Sequence, residues 1–160
     1  MRTFLFEEKQ WLPRAIDEVF AFFSRAENLQ ELTPPWLNFK ILKSPDQLTA
    51  GALIEYKLQI HGLPAHWKTE ITRWNPPNSF EDRQLSGPYA LWNHEHLFAS
   101  HNSGTTVTDR VTYALPFGLL GLVALPLVKR DVKQIFAYRT RRLKELFPNA
   151  ILIPEKILIR

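Results

Sequence analysis

The 160-residue chain has no cysteine. Disulfides, thiolate nucleophiles and cysteine-ligated zinc are therefore excluded, and any metal would have to be held by His, Asp and Glu. No glycine-rich phosphate loop, dinucleotide fingerprint, zinc-finger spacing or RNA-binding aromatic signature occurs. The uncharged stretch Ala114–Val128 contains Pro116 and Pro126 and falls short of the roughly 20 apolar residues that span a bilayer. The start, Met1 to Lys9, becomes charged too soon for the apolar core of a secretory signal. These absences lead to the expectation of a cytoplasmic protein without a cofactor.

What is present is a large apolar inventory: 45% hydrophobic residues, including 11 Phe, 5 Trp and 4 Tyr. That is enough for one well-filled domain. The net charge of +4 comes from a basic stripe, Lys129, Arg130, Lys133, Arg139, Arg141, Arg142 and Lys144, which is read as the solvated face of a helix and not as a nucleic-acid site.

Periodicity orders the chain. A first strand over Arg2–Trp11 precedes a helix through Ile16, Val19, Phe20 and Phe23 with Pro13 in its first turn, and a short helix over Ala26–Leu32. Six strands follow, at Leu37–Lys43, Ala52–His61, Ala65–Trp74, Ser79–Leu85, Tyr89–Ser100 and Thr105–Leu115, separated by Pro-, Asn- and Gly-rich turns. A helix over Leu127–Phe147, with apolar positions at spacings of three and four, completes the domain. The expected fold is α+β: a curved antiparallel sheet of about seven strands wrapped around the long C-terminal helix, with a chamber between them. The domain spans 1–148, and 149–160 forms an apolar tail that covers the body or mediates oligomerisation.

The most informative segment is Trp92-Asn93-His94-Glu95-His96-Leu97-Phe98. On a strand, Trp92, His94, His96 and Phe98 share one face, two imidazoles between two aromatics. The same period places Val107, Asp109, Val111 and Tyr113 together, as it does Phe80, Asp82 and Gln84, and likewise Ile54, Tyr56, Leu58 and Ile60, and Trp67, Thr69 and Ile71. The expected ligand-binding residues are thus Tyr56, Trp67, Asp82, Gln84, Trp92, His94, His96, Phe98, Asp109 and Tyr113. A buried Asp109 needs a donor, and an inward imidazole is the simplest one. His94, His96 and Asp109 are the catalytic candidates. Two His at i and i+2 with an Asp can reach one ion, but with no third imidazole in view no metal is expected. Trp36 is read as core packing, not as the chamber mouth. Ala114–Leu122 is read as a buried entry to the last helix, with a lipid-touching gate as the alternative.

Trp67, Phe80-x-Asp82, Gly87-Pro88-Tyr89, the Trp92-x-His94-x-His96-x-Phe98 pattern, Gly104-Thr105 and Asp109 before Tyr113-x-x-Pro116 resemble the START-like (SRPBCC) superfamily, in its bacterial and plant branch. The superfamily includes polyketide cyclases, lipid-transfer domains and pollen-allergen proteins. The resemblance covers about Met1 to Phe147 and implies the helix-grip fold. It implies binding, transport or sensing of a hydrophobic small molecule such as a lipid, isoprenoid or polyketide, with a cyclase or dehydratase using His and Asp as the alternative. A hydrophobic ligand and peripheral membrane contact are the expected partners, and nucleic acid is not.

Overall fold

The computed structural model describes residues 1–154. Its strands are β1 (Phe4–Leu12), β2 (Lys40–Lys43), β3 (Leu53–Ile60), β4 (Leu63–Asn75), β5 (Ser79–Ser86), β6 (Leu91–His101), β7 (Gly104–Ala114) and β8 (Ile151–Ile153). They form one antiparallel sheet in the order β2-β3-β4-β5-β6-β7-β1-β8. Helices α1 (Ile16–Phe23) and α2 (Ala26–Glu31) follow β1; α3 (Gly118–Gly121) and the long α4 (Leu125–Leu146) follow β7. This is the α+β helix-grip arrangement expected from the sequence, with eight strands in place of about seven. The extra strand comes from the apolar tail, where Ile151–Ile153 pairs with Lys9, Gln10 and Trp11 of β1. The rest of that tail, 155–160, lies outside the described residues.

Boundary differences have local causes. Pro35–Leu37 forms a 3₁₀ turn and Asn38 is left-handed (φ 45°), so β2 starts at Lys40 and not Leu37. Pro126 sits in the first turn of α4, which begins two residues before the expected Leu127, because a proline there gives up an N–H that would have no partner anyway. Pro13 precedes α1 instead of opening it.

The core divides in two. One apolar cluster includes Leu12, Phe20, Phe80, Phe98, Val107 and Leu143; the other includes Phe6, Val111, Tyr113, Val132 and Phe136. Four elements cross both clusters and change chemistry between them. β1 runs Phe6, Glu8, Gln10, Leu12; β6 runs Trp92, His94, His96, Phe98; β7 runs Val111, Asp109, Val107; and α4 runs Phe136, Arg139, Leu143. At one level of the molecule, therefore, the interior is polar, and the site lies there.

Candidate functional site

Pairing aligns the strands that build this layer. His94 stands opposite Asp82 on β5 and His96 opposite Asp109 on β7, yet each imidazole also reaches diagonally. His94 Nε2 lies 2.8 Å from Asp109 Oδ1, and His96 Nε2 lies 2.9 Å from Asp82 Oδ2. The remaining nitrogens close a four-sided cluster, with His96 Nδ1 3.3 Å from Asp109 Oδ1 and His94 Nδ1 3.8 Å from Asp82 Oδ2. The two rings sit with centroids 3.8 Å apart, and Phe80 stacks on His96 at 4.1 Å.

From α4, Arg139 Nη2 donates to Asp109 Oδ1 at 3.3 Å, and its guanidinium lies over the rings of Phe23 and Phe136. The expectation that Arg139 belongs to the solvated basic stripe is thus corrected: the side chain is buried. Its position follows from helical phase, since Val132, Phe136, Arg139 and Leu143 recur at spacings of four, three and four and are the inward row of α4. Beside it Thr140 donates to Glu8, and Gln10 Nε2 donates to the Thr140 carbonyl at 3.4 Å.

The electrostatics follow from this packing. Burial opposes ionisation of Asp109, but Arg139 foremost, with hydrogen bonds from His94 and His96, holds its carboxyl well below the usual carboxylate range. Asp82 is likewise lowered against its burial, by His96, His94 and Arg139. The two histidines are pushed in opposite directions. His94 is lowered by burial and by the neighbouring His96, against the pull of Asp109. For His96, burial also disfavours charge, but Asp109 and Asp82 together outweigh it and raise the pKa. Glu8 is raised by burial, against the Thr140 hydrogen bond. Near neutrality the cluster therefore holds two carboxylates and a neutral His94, and His96 keeps its proton to higher pH than His94 does. The hydrogen bond to ionised Asp109 assigns the proton of neutral His94 to Nε2 and leaves Nδ1 basic.

The polar layer is one wall of a cavity of about 1020 Å³, the size of pockets that enclose a drug-sized molecule. Its apolar walls include Ile54, Tyr56, Leu58, Trp67, Ile71 and Trp92; His94, His96, Asp82, Arg139 and Glu8 supply the polar patch. Of the residues expected from the sequence, Tyr56, Trp67, Asp82, Trp92, His94 and His96 line the cavity together.

The other four stand behind its wall. Gln84 turns to the chain, donating to the Tyr89 carbonyl at 2.7 Å. Phe98 packs among Phe20, Phe23 and Phe80. Tyr113 packs against Phe4, Tyr89 and Trp92, and Asp109 is screened by the histidines it holds. Tyr89, Arg139 and Glu8 line the cavity without having been expected. Glu8 and Arg139 were legible as polar residues on otherwise apolar rows, whereas Tyr89, the first residue of the expected strand Tyr89–Ser100 and there out of phase with Trp92 and the histidines, lies before β6, so alternation does not govern where it points. Trp36, half exposed, lines the cavity beside Leu29 and Leu32 and meets Tyr138, so it belongs to the rim and not the core.

Asp82, His94 and His96 offer ligand atoms within 4.8 Å of one another, which satisfies the spacing of a metal site. Only the Nε2 atoms are engaged, His96 Nε2 with Asp82 and His94 Nε2 with Asp109, and the Nδ1 atoms make neither of these hydrogen bonds. Cationic Arg139 also lowers both carboxylates. A cation on Asp82 would compete with His96 Nε2 for that carboxylate and lie near a guanidinium.

The family model described as polyketide cyclase / dehydrase and lipid transport matches residues 12–137. No curated protein matches the chain. Among solved structures, a protein from Mycobacterium smegmatis is similar at 16% identity and a TM-score of 0.67, with 89% of each chain covered. A ginseng major latex-like protein from Panax ginseng aligns at 11% identity and a TM-score of 0.63, covering 91% of this chain and 98% of that one. The di-domain ARO/CYC protein StfQ of the steffimycin biosynthetic pathway aligns at 14% identity and a TM-score of 0.69, covering 89% of this chain and 50% of that one. At such identities these likenesses establish the fold alone.

Proposed function

From the premise that the chain belongs to the polyketide cyclase / dehydrase and lipid transport family, we propose that it binds an apolar small molecule in its internal cavity, as a carrier or sensor. The observation that carries this reading is the cavity of about 1020 Å³, walled by aliphatic and aromatic side chains with a polar patch on one side. Apolar ligand surface buried there contributes roughly 25 cal/mol per Å², while the His94, His96 and Arg139 patch orients a polar end. A lipid, isoprenoid or polyketide-like compound has that composition.

Native mass spectrometry of freshly purified protein, followed by organic extraction, tests this. An apolar molecule should be released from the wild type and be absent from Leu58→Trp, whose indole would occupy the cavity. A wild type that carries nothing, and that fails to bind cis-parinaric acid or anilinonaphthalene sulfonate, would refute the reading.

A second reading, a cyclase or dehydratase, has one observation in its favour. Adjacent histidines with oppositely displaced pKa values are the pairing expected of a base and an acid. Neutral His94, oriented by Asp109, would remove a proton through Nδ1, and His96 would return one. This reading requires that His94→Ala and His96→Ala each abolish turnover of a polyketide-type substrate while retaining its binding.

A further inference from the structure

Of Ala114–Leu122, expected as a buried entry to the last helix, Ala114 and Leu115 are buried and Leu122 packs against the second apolar cluster, but the stretch between them is not covered. Phe117, Leu119, Leu120 and Val123 are 82%, 84%, 81% and 84% exposed, a contiguous apolar tip of a kind that marks an interaction surface. The tip is a built loop. Phe117 adopts a left-handed backbone (φ 64°), strained for a bulky residue, followed by Gly118 at φ 54°. Gly121 lies so close to the Pro116 carbonyl that a Cβ there would stand 2.0 Å from its oxygen. These constraints hold a one-turn helix with its leucines outward, although burying them would lower the free energy.

Positive charge adjoins the tip. Leu127, exposed in the first turns of α4, leads by steps of three to Arg130 and Lys133, both exposed and neither in an ion pair among the described residues. One turn beyond Leu127, Asp131 accepts the 2.7 Å hydrogen bond of His61 from the β3–β4 turn. Both residues belong to the cavity lining while His61 is exposed, so this contact bridges the cavity mouth. Leu63, two residues past His61, is exposed as well.

We propose that the Phe117–Val123 tip, with Arg130 and Lys133, docks on an anionic lipid bilayer and thereby places the His61–Asp131 mouth at the membrane surface. The charge pattern selects this occupant: apolar side chains enter the acyl boundary while the adjoining cations face the headgroups. No helix of the described residues is long and apolar enough to cross a membrane, so the association is peripheral. It is independent of what the cavity holds, and vesicle binding is read without a cavity ligand.

Co-sedimentation with phosphatidylcholine vesicles, with and without phosphatidylserine, tests the proposal. The wild type should bind the phosphatidylserine vesicles more tightly and release them as salt rises. Phe117→Ser/Leu120→Ser should weaken binding roughly tenfold per residue, and Arg130→Gln/Lys133→Gln roughly fivefold per charge. Phe117→Trp, which keeps the tip apolar, should fold as the wild type and show a blue-shifted emission with vesicles, so the test survives a serine variant that fails to fold. Absence of wild-type binding to either vesicle, or binding that neither double substitution weakens, would overturn the proposal. So would a wild-type dimer in sedimentation equilibrium that the serine variant converts to monomer, since the tip would then be an interface between copies of this chain.

Discussion

Replacing Arg139 with methionine removes one charge from the buried layer while keeping most of the volume between Phe23 and Phe136. Asp109, buried and 3.3 Å from the guanidinium, would be left to the two imidazoles, one of them neutral. Breaking a buried pair from one side costs about 3–5 kcal/mol, a large share of the roughly 5–15 kcal/mol that stabilises a domain. For a chain of this length that is a fall in Tm of roughly 6–20 °C.

The loss should depend on pH in a defined direction. Asp109 has a lowered folded pKa, so its contribution is present above the unfolded value of about 3.9 and disappears as pH falls through the folded value. Without Arg139 that folded value rises, and acid unfolding should move to higher pH. Adding Asp109→Asn to Arg139→Met should recover part of the loss, because the stranded carboxylate is gone. Urea denaturation of the four proteins of this cycle, at pH 7 and down the acid limb, is the assay. A single variant within about 1 kcal/mol of wild type, or a double variant as unstable as the sum of the singles, would show that Arg139 and Asp109 are not a coupled buried pair.

The raised His96 acts with the opposite sign. Its contribution is fully present below the unfolded value of about 6.5 and is lost as pH rises through the folded value, so His96→Gln should flatten the stability profile on the alkaline side of 6.5, measured by thermal melts across pH. Leu143→Ala, at a fully buried position under α4, should cost about 2–5 kcal/mol in urea denaturation. Zinc should leave the melting temperature unchanged, since a cation on Asp82 would compete with the His96 hydrogen bond and meet the Arg139 charge that already lowers that carboxylate; a rise with one equivalent of zinc would refute that argument. If the cluster catalyses, the rate should require a pH above the lowered His94 value and below the raised His96 value, giving a bell-shaped profile.

The strands were legible because alternation is a local signal: His94 and His96 between Trp92 and Phe98, and Asp109 between Val107 and Val111, already fix which side chains of β6 and β7 share the inner face. Alternation does not say how far a cavity extends along a strand. Phe98 and Tyr113 share the inward face with the histidines, yet α1 seals over Phe98 and β1 with Tyr89 closes over Tyr113. Gln84 has the parity of Asp82 but lies just past the last β5–β6 pair, Arg83–Asn93, and its amide serves the backbone of Tyr89. Arg139 was misread because residue type was weighed above phase in a helix rich in Lys and Arg. The exposure of Phe117–Val123 has no local signal at all, since an apolar run reads the same whether tertiary structure covers it or leaves it bare.

The polar layer between the two apolar clusters also bears on how the chain avoids wrong pairings. In an all-apolar interior, sliding β6 by one residue against β5 and β7 would exchange one set of large side chains for another. Here that slip would carry both imidazoles to the outer face and leave the carboxylates of buried Asp109 and part-buried Asp82 with the single Arg139 guanidinium between them, at a cost above that of lost packing. Glu8 and Gln10 on β1 and Arg139 and Thr140 on α4 extend the same demand to the partners on either side. The layer therefore works as an alignment mark read at once by five elements. A variant with His94, His96, Asp82, Asp109 and Arg139 all replaced by apolar residues of similar volume should retain secondary structure while its unfolding transition broadens, the signature of a chain with several interchangeable registers.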